Sequence, residues 1–278
     1  MSVKKYSARV FNGLKFSETE DIVSVEVPLS ISVNGIPFTT TMQTPGNENN
    51  LVRGLLYTEG IYQDLENEPS VRITSKDQHS NTDAVEVSIP PGKVLKNFAN
   101  TRNLLSASSC GMCGKAEFEE TSAPGVKKKD FLRAELVPKM FEMVSAEQGN
   151  FKQSGGTHAA GAFTISGELL CVQEDIGRHN AVDKVIGCLL NQGSLHLAKC
   201  LTVSGRISFE IVNKVRSAGI PFLAAVSAPS SMAIEKAQEA GISLMAFCRG
   251  SKFTVYSNAE QVLQTGVLST EHNTPNHV

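Results

Sequence analysis

The chain has 278 residues, enough for two modest domains that each bury a hydrophobic core. Hydrophobic residues make up 41% of it and charged residues 19%, the composition of an ordinary globular protein. The formal net charge of −2 excludes a broadly basic surface for nucleic acid or an anionic membrane, and no apolar run approaches the roughly 20 residues of a membrane-spanning helix. We therefore expect no nucleic-acid or membrane partner, and a local group of residues must bind any phosphate.

The first part of the chain is predicted to be rich in β-strands. Apolar and polar residues alternate over residues 25–33, and the Asn34-Gly35 pair predicts a turn into a second alternating strand over residues 36–42. Helical spacing of leucines predicts a short helix over residues 51–56, and alternating valines predict a further strand over residues 85–89.

The spacing of apolar residues changes in the second part of the chain. A helical stripe over residues 137–144 precedes two strands paired about Ser166-Gly167, and a helix is predicted over residues 180–190. Strands and helices then alternate up to Phe247, which is typical of an α/β layered domain with a partly parallel sheet. We therefore predict a β-rich N-terminal domain at residues 1–105, a flexible segment with a CxxC motif at 106–130, and an α/β domain at 131–278.

The six cysteines and the N-terminus indicate the compartment. The cysteines lie at positions 110, 113, 171, 188, 200 and 248, and the last four stand singly within apolar or helical patterns, as buried small hydrophobic residues do. The basic N-terminus is not followed by the apolar segment of a secretion signal. We therefore expect a reducing, cytoplasmic environment rather than a disulfide framework.

The loops after the predicted strands carry residue types that bind anions. Ligands of α/β domains bind beyond the carboxyl ends of the strands, where this sequence reads Q-E-D-I-G-R-H-N, S-G-R-I-S-F-E, S-A-P-S-S-M and C-R-G-S-K. Serine and glycine at helix starts leave backbone N–H groups for an anion, and the loops add the cations Arg178, Arg206, Arg249 and Lys252. This pattern predicts a phosphate-bearing ligand such as a nucleotide, and the alternative is a set of ordinary helix caps and surface cations.

Two histidines are weighed in the same way. His158 is interpreted as a structural, hydrogen-bonded residue. His179 has Asp175 and Asp183 near enough in sequence to orient it, and is a candidate for ligand binding. Glu174 and Asp175 could bind a cation, but no further ligand spacing supports a metal site, so we predict no protein-bound metal.

The motif Cys110-Gly-Met-Cys113 allows three kinds of chemistry. A structural zinc ion needs four ligands, so zinc would have to be shared between two chains. A thioredoxin-like redox pair would follow a strand, whereas polar residues 106–109 precede this motif. The flanking glycines, Lys115 and a helix predicted after the motif favour an accessible thiolate, the form of cysteine that accepts sulfur.

Seven motifs stand in order across residues 21–257: Y-T-E-G-I, S-C-G-M-C-G, G-T-H-A-A, E-D-I-G-R-H-N-A-V-D-K, S-G-R-I-S-F-E, A-V-S-A and F-C-R-G-S-K-F-T-V-Y. In this order they resemble the formate dehydrogenase accessory sulfurtransferase family, the FdhD family. A single CxxC motif would be weak evidence, but seven ordered motifs are specific.

The resemblance implies a cytoplasmic sulfur carrier, a sulfurtransferase. Such a protein accepts sulfur as a cysteine persulfide from a cysteine desulfurase, and it binds and sulfurates the bis(molybdopterin guanine dinucleotide) molybdenum cofactor before this cofactor enters formate dehydrogenase. The resemblance also makes a homodimer an expectation. The alternatives are a cofactor-binding chaperone that does not transfer sulfur, and a dithiol oxidoreductase.

The resemblance also implies site residues. Cys110 would carry the persulfide, and Cys113 would assist the transfer or resolve the persulfide as a disulfide. The implied cofactor-binding segment is Phe247, Cys248, Arg249, Gly250, Ser251 and Lys252, and the anion-binding loops add Gly177, Arg178, His179, Ser204 and Arg206 as further candidates.

The implied fold is α/β (α+β overall). It has a cytidine-deaminase-like three-layer C-terminal domain with a mixed sheet and a smaller β-rich N-terminal domain. The deaminase zinc signature is missing, because H-A-A stands in place of H-x-E and no P-C-x-x-C follows. Lys252 also departs from the family pattern, where arginine is usual, and lysine binds phosphate without the planar fork of arginine.

Overall fold

The computed structural model describes residues 2–95 and 130–264. The chain starts with an antiparallel hairpin of β1 (Val3–Phe11) and β2 (Phe16–Ser24). A four-stranded sheet follows in the order β4-β3-β6-β5, built from β3 (Val27–Val33), β4 (Ile36–Gln43), β5 (Ser70–Lys76) and β6 (Thr82–Ser88). The predicted turn joins β3 to β4, with φ of 49° at Asn34 and 77° at Gly35, as a tight hairpin of this twist requires.

Helix α1 (Glu48–Thr58) covers one face of this sheet. Its residues Leu51, Val52, Leu55 and Leu56 recur at helical spacing and pack on Leu29, Ile31, Val33, Val85 and Val87 of β3 and β6. The strands and the helix thus share one small hydrophobic core.

A six-stranded mixed sheet forms the larger part of the fold. Its order is β13-β12-β11-β10-β8-β9, and the pairs β10–β11 and β11–β12 are parallel. The strands are β8 (His158–Phe163), β9 (Leu169–Asp175), β10 (Cys200–Val203), β11 (Phe222–Ala225), β12 (Ser243–Arg249) and β13 (Lys252–Ser257). Short strands β7 (Leu132–Arg133) and β14 (Val262–Leu263) pair separately in parallel.

Helices cover both faces of the six-stranded sheet. One core contains buried residues of α4 (Arg178–Asn191), α5 (Phe209–Ser217) and α6 (Ser231–Ala240). A second core, on the other face, contains Val137, Met140 and Val144 of α2 (Leu136–Glu147), and the short helix α3 (Gly149–Ser154) follows. The predicted three-layer α/β arrangement and the additional β-rich part are confirmed.

Helices α1 and α4 cross with their backbones in contact. A Cβ atom at Gly54 would lie 1.9 Å from the carbonyl oxygen of Asp183, and one at Gly187 would lie 1.8 Å from that of Asn50. Only glycine at both positions permits this approach. The crossing joins the helix of the four-stranded sheet to the first helix of the six-stranded sheet.

The remaining expectations concern cysteines and membrane contact. Cys171, Cys188, Cys200 and Cys248 are free and buried, as predicted. Within residues 2–95 and 130–264, no helix has both the length and the apolar character to cross a membrane.

Candidate functional site

The four predicted loops lie along one edge of the six-stranded sheet. Because β10, β11 and β12 are parallel, their carboxyl ends meet at this edge. Strands β8 and β13 are antiparallel to their neighbours and begin there, and β9 ends there. We call this the strand-end edge, and it is where open sheets of this type bind ligands.

The hairpin between β12 and β13 forms one end of this edge. Arg249 pairs with Lys252 across the hairpin, and Gly250 takes a φ of 55° at its tip next to Ser251. A cavity of about 450 Å³ is lined by Phe247, Arg249, Lys252 and Thr254. Thr254 was missed from the sequence, although strand alternation places it on the same face as Lys252.

Phe247 has an unusual backbone in this cavity. Its φ is 55°, a rare value for a side chain of this size, and the register of β12 shifts between Ala246 and Arg249. The ring is 44% exposed, and its centroid lies 6.4 Å from that of Tyr256. The irregular backbone therefore presents an aromatic face beside two cations.

Cys248 points away from this cavity. Its side chain is buried in the core beneath α2, and burial raises the pKa of its thiol to about 12. Cys248 of the predicted segment 247–252 can therefore contact a ligand only through its backbone atoms.

Arg178 and His158 meet at the other part of the edge. A Cβ atom at Gly205 would lie 3.3 Å from Arg178 Cβ and 3.4 Å from His158 Nδ1, so these side chains converge over that glycine. His158 Nδ1 lies 3.3 Å from Ser204 Oγ, which also accepts a 3.0 Å hydrogen bond from the N–H of Ala159. Burial and the positive charge of Arg178 lower the pKa of His158, so its ring is neutral near pH 7.

His179 contacts two residues at the start of α5. Its Nε2 lies 3.3 Å from Ser208 Oγ and 3.4 Å from Glu210 Oε2, and Ser208 donates a 2.7 Å hydrogen bond to the same carboxylate oxygen. This hydrogen-bonded group joins the starts of α4 and α5. Asp175 and Asp183, which were expected to orient the ring, pair with Lys184 and Lys214 respectively.

The two acidic residues before α4 have structural partners. Asp175 accepts hydrogen bonds from the N–H groups of Gly177 (2.8 Å) and Thr44 (3.1 Å) and forms a 2.7 Å ion pair with Lys184. Glu174 accepts hydrogen bonds from Asn150 N, Phe151 N and Thr157 Oγ1, each at 2.8 Å. In the described part of the chain, no cluster of three or more His, Cys, Asp or Glu residues could hold a metal ion.

The edge carries unpaired positive charge. Among the described residues, Arg178, Arg206, Arg249 and Lys252 form no ion pair, whereas the nearby carboxylates of Asp175 and Glu210 are engaged. Arg206, Arg249 and Lys252 are exposed and Arg178 is half-buried. This arrangement suits a ligand with several negative charges.

Cys110 and Cys113 lie outside the described residues, and their assigned roles stay predictions. The sequence reasoning also missed the contacts of Glu210 and the close approach of His158 to Arg178. These contacts depend on the order of strands in the sheet, in which β8 lies between β9 and β10. They were missed because no local sequence pattern encodes that order.

Comparisons with known proteins identify the family of this chain. The model of the FdhD/NarQ family matches residues 24–263. The chain is 41% identical over 259 residues to a sulfur carrier protein FdhD of Streptomyces avermitilis, covering 88% of this chain and 90% of the relative. It is 40% identical over 265 residues to a protein of the same name from Sulfolobus acidocaldarius, covering 94% of this chain and 99% of that one.

A solved structure has the same fold. The crystal structure of a candidate formate dehydrogenase accessory protein from Desulfotalea psychrophila superposes with a TM-score of 0.72 and covers 95% of this chain and 100% of that chain. The two sequences are 20% identical. The similarity therefore concerns the fold.

Proposed function

Because the chain belongs to the FdhD/NarQ family, we propose that it is a sulfur carrier protein that supports the maturation of formate dehydrogenase. Within that role, Cys110 accepts sulfur as a persulfide from a cysteine desulfurase and passes it to the bis(molybdopterin guanine dinucleotide) cofactor. The observation that carries the cofactor part is the strand-end edge, where an exposed aromatic ring accompanies four cations that form no ion pair with a described residue.

The first chemical step is an exchange of sulfur between two cysteines. The Cys110 thiolate attacks the outer, sulfane sulfur of the desulfurase persulfide. A new S–S bond forms at Cys110, the old S–S bond breaks, and the desulfurase cysteine leaves as a thiolate, so there is no net oxidation or reduction.

The second step releases the sulfur. The Cys113 thiolate attacks the inner sulfur of the Cys110 persulfide, which forms a Cys110–Cys113 disulfide and expels hydrosulfide. The hydrosulfide becomes a ligand of the molybdenum of the bound cofactor, and an oxygen ligand leaves as hydroxide. A reductant of the dithiol class then restores both thiols. Cofactor held at the strand-end edge makes this delivery nearly intramolecular.

The persulfide assignment is tested by intact-mass measurement. Incubation with a cysteine desulfurase and cysteine should add one sulfur atom that a thiol reductant removes, and Cys110→Ala should abolish the addition. The matched control is Cys113→Ala, which should still gain the sulfur because the first step does not use it. A Cys110→Ala protein that gains the sulfur as the parent does contradicts the assignment.

A complementation assay separates the two alternatives. A Cys110→Ala, Cys113→Ala variant that restores formate dehydrogenase activity in a deficient cell would indicate a cofactor-binding chaperone. A reversible Cys110–Cys113 disulfide that forms with a partner, without transfer of sulfur, would indicate a dithiol oxidoreductase.

A further inference from the structure

Two of the four buried cysteines lie side by side. Cys171 belongs to β9 and Cys188 to α4, and a hydrogen bond joins their thiols within one hydrophobic core. Cys200 and Cys248 lie in the core on the other face of the sheet, where each bonds to a backbone group and burial raises the pKa of both thiols. Among the described cysteines, the Cys171–Cys188 pair is therefore the candidate for thiol chemistry.

The connection from β9 into α4 brings the two thiols together. Since β9 and β10 both run antiparallel to β8, the helix between them runs back along the sheet. Asp175 at the end of β9 pairs with Lys184 of α4 at 2.7 Å, which fixes the helix against the strand. Cys171 lies about 13 Å back along β9 from Asp175, at about 3.3 Å per strand residue. Cys188 lies about 15 Å along α4 from Arg178, at about 1.5 Å per helical residue, so both cysteines reach the same level of the sheet.

Gln173 places the pair beside the solvent. It lies on the same face of β9 as Cys171, and its Nε2 donates a 3.5 Å hydrogen bond to Cys171 Sγ. It also lines a polar cavity of about 290 Å³ along β9, the outermost strand of the six-stranded sheet. Cys171 is 8% exposed and Cys188 7% exposed. The pair thus lies at the border of its core, where a small oxidant can reach it.

The hydrogen bond makes the two thiols unequal. The S–H group of Cys171 donates to the sulfur of Cys188 and lowers the pKa of Cys188 to about 7, although burial opposes this effect, and the amide of Gln173 also lowers it. The same contact and burial raise the pKa of Cys171. Near neutral pH, Cys188 is therefore partly a thiolate, the form that attacks oxidants, and Cys171 keeps its proton.

We propose that Cys171 and Cys188 are a redox site, in which Cys188 attacks a peroxide and Cys171 then closes a reversible disulfide. In the first step an S–O bond forms at Cys188, the O–O bond of hydrogen peroxide breaks, and hydroxide leaves, which produces a sulfenic acid. In the second step the sulfur of Cys171 attacks the sulfenic sulfur, the S–O bond breaks, and the proton of Cys171 leaves with the hydroxyl group as water. The two sulfurs lose two electrons in total and the peroxide gains them, and a dithiol reductant reverses the change.

The position of the disulfide connects it to the strand-end edge. Gly177, Arg178 and His179 stand between the two cysteines in the chain. A disulfide therefore ties the strand that enters this turn to the helix that leaves it. The proposal goes beyond the proposed function and does not depend on it, since neither step uses the CxxC motif.

Peptide mapping of the full-length protein tests the cross-link. The folded protein is treated with hydrogen peroxide, free thiols are alkylated, and the tryptic digest is analysed by mass spectrometry. Trypsin places Cys171 in the peptide 153–178 and Cys188 in the peptide 185–199, whereas both cysteines of the CxxC motif lie in a third peptide. We expect the first two peptides to appear joined, with the loss of two hydrogen atoms, and to separate after treatment with a dithiol reductant.

Single variants separate the attacking thiol from the resolving thiol. In Cys171→Ala, Cys188 should stop as a sulfenic acid, which a dimedone probe labels. In Cys188→Ala, Cys171 should be labelled about tenfold less, because a protonated thiol reacts slowly with peroxide. The matched control Cys200→Ala keeps the pair and should form the cross-link as the parent does.

The outcomes are distinct. A parent protein whose peptides 153–178 and 185–199 stay unlinked after peroxide treatment overturns the redox site. Equal labelling of Cys171→Ala and Cys188→Ala overturns the order of attack. Neither result bears on sulfur transfer, because the persulfide measurement follows Cys110 alone.

Discussion

At the scale of single residues, the crossing of α1 and α4 depends on two glycines. Gly54 faces Asp183 and Gly187 faces Asn50, and in each case backbone atoms occupy the place of a side chain. Backbone cannot rotate away as a flexible side chain can. These glycines therefore set the distance between the helices.

We predict that Gly187→Ala destabilises the protein by about 2 kcal/mol or more. Overpacking costs about 1–3 kcal/mol or more, which exceeds the roughly 1 kcal/mol that alanine gains over glycine within a helix. Urea denaturation measures the free energy of unfolding. The matched control is Gly149→Ala in α3, where a Cβ atom meets nothing within 4 Å. Equal stability of the two variants would show that the helices separate without cost.

At the scale of elements, the hairpin β1–β2 differs from the other strands. Six of the 16 exposed large hydrophobic side chains among the described residues belong to it: Tyr6, Val10, Phe11, Leu14, Phe16 and Val23. Its base is anchored by hydrogen bonds from Ser2 Oγ to Asn150 Oδ1 (2.7 Å) and between the hydroxyls of Ser24 and Ser154 (2.6 Å). Beyond its base the hairpin makes few contacts with the rest of the protein. An isolated two-stranded hairpin is only marginally stable.

We predict that a Phe11→Ser, Leu14→Ser, Phe16→Ser variant keeps its stability to within about 1 kcal/mol. Leu14 is 92% exposed and both phenylalanines are 57% exposed, so their replacement opens no cavity. Leu56→Ala in α1, where the leucine is fully buried, should cost about 2–5 kcal/mol under the same urea denaturation. A triple variant as unstable as Leu56→Ala would mean that the hairpin tip is covered in solution.

Several elements that sequence patterns predicted have one buried face. Strand β3 shows clear alternation, and helices α5 and α6 show helical spacing, because their burial follows it. The β1–β2 hairpin was missed because both of its faces are exposed and no burial pattern marks it. Strand pairing, rather than core packing, holds it together.

The candidate site was predicted in part for a similar reason. Strand and helix alternation brings the four loops to one edge, and that much follows from local patterns. Strand alternation places Cys248 in the core between the exposed residues Phe247 and Arg249, but no motif encodes the left-handed backbone of Phe247. The contact of His158 with Ser204 joins residues 46 positions apart and depends on the order of strands.

At the scale of the whole molecule, buried ion pairs join the two sheets. Asp183 of α4 accepts a 2.8 Å hydrogen bond from Thr58 of α1 and pairs with Lys214 of α5 at 2.9 Å, and Glu59 lies 3.6 Å from the same ammonium group. The side chains of Asp183 and Lys214 are almost fully buried. One group of charges thus links the helix of the four-stranded sheet to two helices of the six-stranded sheet.

We predict that Lys214→Met destabilises both sheets together, by about 3–5 kcal/mol, because it leaves buried carboxylates without a cation. Hydrogen exchange followed by mass spectrometry should show protection falling equally in peptides from β3 and from β10. Asp183→Asn, Lys214→Met should recover part of the loss, since the double variant buries no charge at these positions.

The same change should depend on pH. Burial raises the pKa of Asp183, while Lys214 and the hydroxyl of Thr58 oppose the rise. Without Lys214 the folded-state pKa rises further above the unfolded value, so protonation relieves the cost in mildly acid solution and the deficit of Lys214→Met grows as the pH rises towards neutrality. A deficit that is constant with pH, or confined to one sheet, would show that this ion pair does not couple the two halves.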